Sequence, residues 1–453
     1  MSDSELKHIQ PIEQHIQGLA EALDSGMFVH VRKILNTLPA ADVAHIFESS
    51  PPATRQVLWK LINEEHQGDV LLYMVEDVRT SFMEQMAPEA LANATEGLEI
   101  DDVTDLLRDL PEQVYEQVLS LLDHQDKLRI QKAMAYPEDS AGGLMNTDTI
   151  TVREHVSLDV VLRYLRTKES LPNTTDALYV VDQDDKLIGQ LALTTLVTSA
   201  AEMQVGELMD TDIIRMRVDI TSTEVANLFE RHDIVSAPVV DDEHRLLGRI
   251  TIDDVVDVIR DEAEHSLMGM AGMDEDEDTF APVLMSTKSR AIWLGLNLVT
   301  AFTAAFVSNL FEDTLEKLVS LAILMTIVPS MGGVAGSQTL TLVIRGLALG
   351  HIGKNNTRWL VGKELAVGFL NGLLWAAVVA IIATVWKGDW KVGLIIAAAM
   401  TANLIVAALS GVGIPLLMKK VGIDPALAGA VVLTTITDVV GLLAFLGLAT
   451  VFL

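Results

Sequence analysis

One carboxylate lies inside a long apolar segment near the end of the chain. Residues 425–453 are almost uniformly apolar, yet Asp438 occurs near their middle, in the sequence Thr-Thr-Ile-Thr-Asp-Val-Val-Gly. An ionisable side chain in a membrane-length segment costs several kcal/mol on most estimates, so it commonly marks an ion path. We predict that Asp438 lines such a path. Two structural roles stay open, namely a helix-packing hydrogen bond or an ion pair with Lys363 of another segment.

The residues around Asp438 offer oxygen atoms without bulk. Thr434 and Thr437 precede it by four residues and one residue, and Asp424 opens the same segment. The chain has no cysteine, which rules out disulfides and thiolate metal sites. Hard, oxygen-ligated cations are therefore the metal candidates.

A second apolar segment carries a proline and three glycines at mid-length. Pro329 is followed by Gly332, Gly333 and Gly336. We predict that they weaken the helix and admit a close neighbour or an exposed carbonyl beside a cavity. Small-residue helix packing is the alternative interpretation.

Five apolar segments must position these residues. All are long enough to cross a bilayer, which needs about 20 residues; they are 291–311, 318–344, 365–386, 392–418 and 425–453. With the N-terminus inside, the inner flanks hold eight Lys/Arg residues and the outer loops hold three. This bias predicts a cytoplasmic N-terminus and an external C-terminus. We expect a multi-pass protein of the plasma (inner) membrane.

The rest of the chain is strongly acidic. From Ser286 onward the net charge is +4, whereas the preceding 285 residues carry 21 Lys/Arg against 56 Asp/Glu. Such a surface should repel nucleic acid and attract cations. A merely soluble acidic surface is the alternative.

Two soluble folds are predicted before the membrane domain. Residues 1–136 show recurrent helix starts with Pro or an acid in the first turn, which favours an all-α superhelical N-domain. Residues 137–200 and 201–265 repeat one pattern of helix, strand, acidic turn, strand and helix, and resemble a tandem pair of α/β CBS modules. In the second copy, Thr251 and Asp254 match a ribose- and phosphate-binding pattern, which makes ATP a candidate ligand; an ordinary helix cap is the alternative. Residues 266–290 are predicted as a linking helix that includes a solvated acidic run, and His265 receives no role.

This order of domains resembles the MgtE family of magnesium channels and transporters. The most specific pieces are the Asp-Ser-Ala-Gly-Gly-Leu-Met run from Asp139, the Gly-Gly-x-x-Gly-x-Gln run from Gly332, and the Thr-Asp-Val-Val-Gly-Leu run around Asp438. The resemblance implies a homodimer whose pore lies between two membrane domains. It also implies that Asp438 and its symmetry mate hold a hydrated Mg²⁺, with Asp424 nearer the cytoplasmic mouth.

Two departures from the family pattern lie beside the expected pore. Val334 replaces the usual Asn of the Gly-Gly-Asn run, and Ala430 replaces an Asn that some members carry. Both changes remove polar ligands, so the identity of the ion stays open. The predicted pore-lining set is Gly332, Gly333, Val334, Ala430, Thr434 and Thr437.

The resemblance further implies closure of the pore by cytoplasmic Mg²⁺. The positions that match regulatory ligands are Asp101, Asp105, Asp233, Asp254, Asp257 and Glu262. Two pairs of them have helical-neighbour spacing, Asp101 with Asp105 and Asp254 with Asp257. For any one of these carboxylates, a solvated surface acid is the alternative.

Our leading hypothesis is a magnesium-selective, dimeric channel that imports the ion down its electrochemical gradient. A broader divalent transporter that also carries Co²⁺ is one alternative, and a membrane-anchored CBS sensor without transport is another. An enzyme is not expected, because the sequence has no phosphate-binding Gly-x-x-x-x-Gly-Lys-Ser/Thr loop and no nucleophile–base pair.

Overall fold

The computed structural model describes residues 27–168, 170–273, 277–317, 319–353 and 355–453. The described chain forms two compact units, one within Met1–Asp261 and Asp276–Pro282, the other within Glu262–Glu275 and Val283–Leu453. The first 26 residues of the predicted N-domain and residues 274–276 of the acidic run lie outside the described residues. Position 318, in the predicted second span, and position 354, in the predicted cytoplasmic loop after it, also lie outside the described residues.

The first unit begins with short helices, as the sequence predicts. From residue 27 to residue 139 the described chain forms α1 to α9: Phe28–Leu35, Ala40–Glu48, Pro52–Trp59, Glu64–Leu72, Glu76–Met83, Pro88–Ala94, Ile100–Arg108, Glu112–Leu121 and His124–Ala133. Proline lies in the first turn of α3 and α6, where its missing N–H is harmless. Their apolar faces share one core, in which Phe47, Trp59 and Phe82 form edge and stacked ring contacts.

Two similar three-stranded sheets follow, which confirms the predicted repeat. The elements are α10 (Ala141–Leu144), β1 (Thr151–Val152), α11 (Leu158–Leu165), β2 (Ala177–Val181), β3 (Leu187–Ala192), α12 (Leu193–Thr198), α13 (Val205–Leu208), β4 (Met216–Arg217), α14 (Ser222–His232), β5 (Ser236–Val240) and β6 (Leu246–Thr251). In each sheet a short parallel pair is followed by an antiparallel pair. Asp182 and Asp241 close the two strand turns in the same way, each accepting two backbone N–H groups. The repeated acidic turn is therefore a repeated hydrogen-bonding device.

The second unit contains five helices long and apolar enough to cross a membrane, as predicted. The five spans are Val283–Asn309, Leu321–Ala348, Thr357–Lys387, Trp390–Val421 and Pro425–Phe452, called the first to fifth span below. The second span consists of the end of α18 (Val319–Leu324) and α19 (Ile327–Ala348), and α17 (Glu312–Lys317) precedes it. The other spans are α16, α20, α21 and α22 in chain order. Several helices extend beyond the apolar segments because their polar flanks contain no helix breaker.

The linking helix predicted for residues 266–290 is not a single element. Helix α15 (Ile252–Met270) continues the last CBS helix and ends at Gly272, whose φ of +69° suits a residue without a side chain. A new helix then starts at Val283 and becomes the first span without interruption. The last part of the predicted linking helix is therefore the beginning of the first span.

The acidic run ends in a buried residue, which corrects the prediction of a solvated run. Asp278 is 9% exposed, and its carboxylate accepts two hydrogen bonds from the Arg55 guanidinium, at 2.5 and 2.7 Å. Arg55 also donates to the carbonyls of Phe47 and Glu48, so its remaining donors are largely satisfied. The segment that leads to the first span is thus held by the N-domain through a paired, desolvated charge.

We expect Arg55→Ala to destabilise the first unit by about 3–5 kcal/mol, because it leaves the Asp278 carboxylate buried without its partner. Thermal denaturation of the full chain in detergent measures the loss. Arg163→Ala is the matched control, because Arg163 and Asp159 are 67% and 57% exposed and such pairs contribute little. Equal effects of the two substitutions would contradict this account of the buried pair.

Candidate ion-binding sites

The carboxylate of Asp438 has no partner in the part of the chain that the structure describes. Asp438 lies partly buried in the fifth span, one residue beyond the fully buried Thr437. No described residue donates a hydrogen bond to it or forms an ion pair with it. Lys363 lies 2.6 Å from Glu364 instead, so neither structural role left open by the sequence is observed. The carboxylate is free to take a ligand that the protein does not supply.

The threonines before Asp438 hydrogen-bond within their own helix. The hydroxyl of Thr434 donates to the carbonyl of Ala430 at 2.9 Å, and that of Thr437 donates to Leu433 and Thr434 at 3.1 and 3.0 Å. Their hydrogens are therefore used, while each oxygen keeps acceptor capacity. Asp424 begins the same helix as its N-cap and accepts the N–H of Ala426 at 2.7 Å.

The glycine run permits close packing, and its helix is not broken there. Helix α19 runs unbroken from Ile327 to Ala348, and Pro329 falls in its first turn, where it removes no needed bond. Gly332 packs on Asn403 and Thr437, and a side chain at Gly336 would collide with Leu433 at 2.9 Å. The close approach predicted for the run is present, whereas an unwound segment is absent between Ile327 and Ala348.

The two departures from the family pattern differ in exposure. Val334 is 58% exposed on α19, with an apolar surface. Ala430 is partly buried and packs in an apolar cluster with Leu340 and Ile344. Gly333 has open space beside it, with Thr437 Oγ1 as its nearest neighbour at 4.0 Å.

A second ionisable residue lies among the spans. Glu364 is 4% exposed, accepts a hydrogen bond from Thr339 at 3.1 Å and pairs with Lys363 at 2.6 Å. Its charge is therefore compensated inside the protein, which gives it a packing role between the second and third spans.

Asp424 has a partner that sequence reasoning missed. His265, on the last turns of α15, places its Nε2 atom 2.5 Å from Asp424 Oδ2. One turn further on, Gly269 lies against Ala426, with 3.3 Å between the Cβ of Ala426 and the position of a Cβ added to Gly269. The end of α15 is therefore packed on the start of the fifth span. Local patterns of charge carried no signal for this long-range contact.

The regulatory candidates divide into a buried group and an exposed group. Asp101 is 6% exposed, and its Oδ1 atom has no hydrogen-bond partner in the described chain. Burial, and then the negative charge of Asp254, raise the pKa of Asp101 well above its usual range. Burial raises the pKa of Asp254 to about 7 and that of the neighbouring Asp102 to about 6. The first unit thus brings Asp101 and Asp254 together from helices far apart in sequence.

The other candidates lie nearer to solvent. Burial raises the pKa of Asp105 to about 7, although its side chain is 45% exposed and lies 3.7 Å from Arg108, so solvent screens it. Asp257 is 59% exposed and pairs with Arg260. Asp233 is the exposed, left-handed C-cap of α14. Glu262 is partly buried on α15.

The nucleotide pattern forms a helix cap. The N–H and the hydroxyl of Thr251 both donate to Asp254 Oδ2, at 3.2 and 3.1 Å. This is half of a capping box at the start of α15. Thr251 is 5% exposed.

The residues around Asp101 fit a hydrated Mg²⁺. Within the described residues, no group of three or more His, Asp or Glu side chains is arranged to hold a metal ion. Mg²⁺ does not require such a group, because it keeps several waters and commonly uses one or two carboxylates. The unpartnered oxygen of Asp101 and the carboxylate of Asp254 would supply such a donor set.

Sequence profiles assign the same parts of the chain. Residues 325–448 match a profile described as a divalent cation transporter, residues 38–139 match the MgtE intracellular N domain, and residues 141–202 and 205–261 match CBS domains. With five spans and an unpaired carboxylate among them, the fold and the site define a membrane protein of the divalent cation transporter class, equipped with a CBS pair.

Individual relatives indicate the family within this class. The chain is 28% identical to the magnesium transporter MgtE of Bacillus subtilis over 95% of this chain and 96% of that one, and 29% identical to that of Thermus thermophilus over 96% and 98%. The solved cytosolic domain of the Mg²⁺ channel MgtE in complex with ATP superposes with a TM-score of 0.50 at 30% identity, covering 54% of this chain and 99% of that one. The chain belongs to the MgtE family. Its relatives are transporters, as expected for a protein that is not an enzyme.

We expect stability without divalent cations to fall as the pH rises from 6 to 8. The pKa values of Asp101, Asp102 and Asp254 are higher in the folded chain than the value of about 4 expected in the unfolded chain. Protonation of these carboxyl groups therefore stabilises the fold fully below about pH 4, and this stabilisation is lost as the pH rises through about 7. Thermal denaturation of the full chain at both pH values, with and without millimolar Mg²⁺, measures the effect. Mg²⁺ should remove most of the difference.

Asp101→Asn should flatten this pH dependence, because it removes one buried charge. Asp184→Asn, in an exposed turn, is the control and should leave it unchanged. A pH dependence that persists in full after Asp101→Asn would contradict the assignment of Asp101.

Proposed function

We propose that this chain is a homodimeric, magnesium-selective channel or transporter that imports Mg²⁺ across the inner, plasma membrane. The ion moves down its electrochemical gradient, and cytoplasmic Mg²⁺ closes the pathway by binding to the acidic unit. The N-terminus is cytoplasmic and the C-terminus external. Family membership supports this function, and the unpaired carboxylate of Asp438 is the observation that carries it.

Asp438 suits a hydrated Mg²⁺ better than a dehydrated ion. Mg²⁺ gives up water reluctantly, so a carboxylate can hold it through its hydration shell. Two copies of the carboxylate, one from each protomer, would face the ion from opposite sides. Thr434, four residues before Asp438 and therefore on the same helix face, adds a hydroxyl oxygen whose acceptor capacity is unused, whereas Thr437 is fully buried on another face. Asp424 concentrates cations at the start of the same helix.

A second candidate function is transport of a broader set of divalent cations that includes Co²⁺. The observation that favours this second candidate is Val334, whose exposed apolar side chain replaces a polar one. Ala430 likewise offers no ligand. With fewer polar groups to orient the hydration shell, discrimination between ions rests more heavily on Asp438.

We expect Asp438→Ala to lower Mg²⁺ flux into liposomes by about 100-fold or more, because it removes the charge that stabilises the ion. Mg²⁺ and Co²⁺ fluxes are measured in parallel. Asp313→Asn, an exposed acid in helix α17 before the second span, is the control and should conduct normally.

Equal permeation of Co²⁺ and Mg²⁺ through the wild type would contradict selectivity for Mg²⁺. The function would then be transport of a broader set of divalent cations. Divalent uptake unchanged by Asp438→Ala would contradict the assigned pore. A wild type that carries no divalent cation at all would leave the membrane-anchored CBS sensor.

Regulation is assigned to the buried carboxylates and to α15. Mg²⁺ at Asp101 and Asp254 would replace the protons that their raised pKa values favour, and would hold the N-domain against the start of α15. Asp105, Asp233, Asp257 and Glu262 are further candidates, of which Asp257 and Glu262 lie along α15 itself. The other end of this helix contacts the fifth span through His265, so it links the acidic unit to the pathway.

We also infer an adenine nucleotide as a ligand of the CBS pair. The similar cytosolic domain was solved in complex with ATP, and Thr251 and Asp254 occupy the pattern that binds ribose and phosphate in many such modules. Binding would use the Oδ1 atom of Asp254, because its Oδ2 atom already accepts two hydrogen bonds from Thr251. ATP and Mg²⁺ would therefore both act on Asp254.

We expect a disulfide between Gly269→Cys and Ala426→Cys to stop Mg²⁺ flux at any internal Mg²⁺ concentration, because it fixes α15 on the fifth span. The Cβ positions are 3.3 Å apart, close to the disulfide range, and the wild type has no cysteine to interfere. Flux is measured under oxidation and again after reduction, with each single cysteine as the control. Normal flux through the cross-linked protein would contradict gating by this contact.

A further inference from the structure

A single amide side chain joins three of the spans. Asn403, in the fourth span, is fully buried, and its Nδ2 group donates to the carbonyl of Val328 in the second span at 2.8 Å. The same Nδ2 atom lies against Gly332 of that span. A Cβ added at Gly441 of the fifth span would lie 2.9 Å from it. The amide therefore fills a space that two glycines leave open.

The contact in the fifth span lies beside Asp438. Thr437 and Gly441 are four residues apart, so they share one face of the helix, and both are buried. Thr437 packs on Gly332, and Gly441 packs on Asn403 and Pro329. Asp438 follows Thr437 directly and therefore lies about 100° further around the helix, on a partly exposed face. Whatever holds the buried face also fixes the direction of Asp438.

Packing alone does not account for an amide at this position. The Oδ1 atom of Asn403 is buried and has no hydrogen-bond partner in the described chain. An unsatisfied buried acceptor is costly, so an apolar side chain of similar size would be the more stable filler. The amide supplies what an apolar residue lacks, a directed hydrogen bond to Val328 at the start of the glycine-bearing helix.

We propose that Asn403 is a positioning residue that sets the rotation of the fifth span and so aims Asp438 into the ion pathway. The consequence for transport rests on the proposed function, whereas the rotation itself does not. Without the amide, the fifth span is free to rotate about its own axis, and Thr437 and Gly441 move with it. Asp438 then loses its defined direction even though its charge is intact.

The rotation is tested by cysteine labelling, which needs no transport. In the cysteine-free chain, Asp438→Cys and Thr437→Cys are made singly and reacted with a charged methanethiosulfonate reagent. We expect position 438 to react about 10-fold faster or more than the fully buried position 437, as expected of neighbours on different helix faces. Adding Asn403→Leu should bring the two rates close together. An unchanged ratio of rates overturns the proposal.

The consequence for transport is tested by a complementary pair of substitutions. Gly332→Ala drives a methyl group into the amide of Asn403, and Asn403→Leu removes the hydrogen bond. Each should lower Mg²⁺ flux into liposomes about 10-fold or more, because misplacing a functional group by about 1 Å is that costly. Asn403→Ala makes room for the methyl group but also removes the hydrogen bond to Val328, so the double variant Gly332→Ala/Asn403→Ala should conduct no better than Asn403→Leu.

Gly413→Ala is the matched control, because Gly413 is an exposed residue of the same helix with open space beside it. It should conduct like the wild type. Wild-type flux through Asn403→Leu overturns the positioning role. Absence of Mg²⁺ flux through the wild type contradicts the proposed function instead, and the labelling ratio then still decides whether Asn403 sets the rotation.

Discussion

The membrane unit depends on the cost of one unpaired carboxylate. A negative charge among apolar helices is unfavourable unless a cation or water compensates it. The protein compensates Glu364 internally, through Lys363 and Thr339, whereas Asp438 has no such partner among the residues that the structure describes. The two acids of this unit therefore have different roles: Glu364 contributes to packing, and Asp438 is available to bind a ligand. The rest of the unit holds Asp438 in place while keeping its carboxylate accessible.

Close helix packing is the means by which that position is held. Gly332, Gly336 and Gly441 remove side chains where the second, fourth and fifth spans meet, so that Asn403, Leu433 and Thr437 fit between them. In the absence of a hydrophobic driving force inside a bilayer, such small-residue contacts and buried hydrogen bonds hold helices together. The glycines that resembled a helix break are therefore packing sites, which is consistent with the unbroken helix from Ile327 to Ala348.

The sequence predicted the elements better than the contacts between them. The length of the apolar segments predicted the five spans, and proline and acidic residues predicted the helix starts of the N-domain. The internal repeat predicted the two similar sheets. Those signals are local, and periodicity carries them. The pairs Arg55–Asp278 and His265–Asp424 join residues that are 223 and 159 positions apart, and no local pattern encodes such a distance. For the same reason Asp278 was predicted to be solvated, and His265 received no role.

The acidic unit and the membrane unit use carboxylates in the same way. Asp101 and Asp438 both lack a hydrogen-bond partner in the described chain for at least one oxygen, and in our account both take hydrated Mg²⁺, one as a signal and the other as cargo. The central claim is that Asp438 holds the permeating ion. The most direct measurement is a crystal structure of the full chain grown with Mn²⁺ in place of Mg²⁺, read by anomalous scattering. The account predicts a peak within about 5 Å of Asp438, a distance that leaves room for a water between metal and carboxylate. Peaks confined to other positions would contradict it.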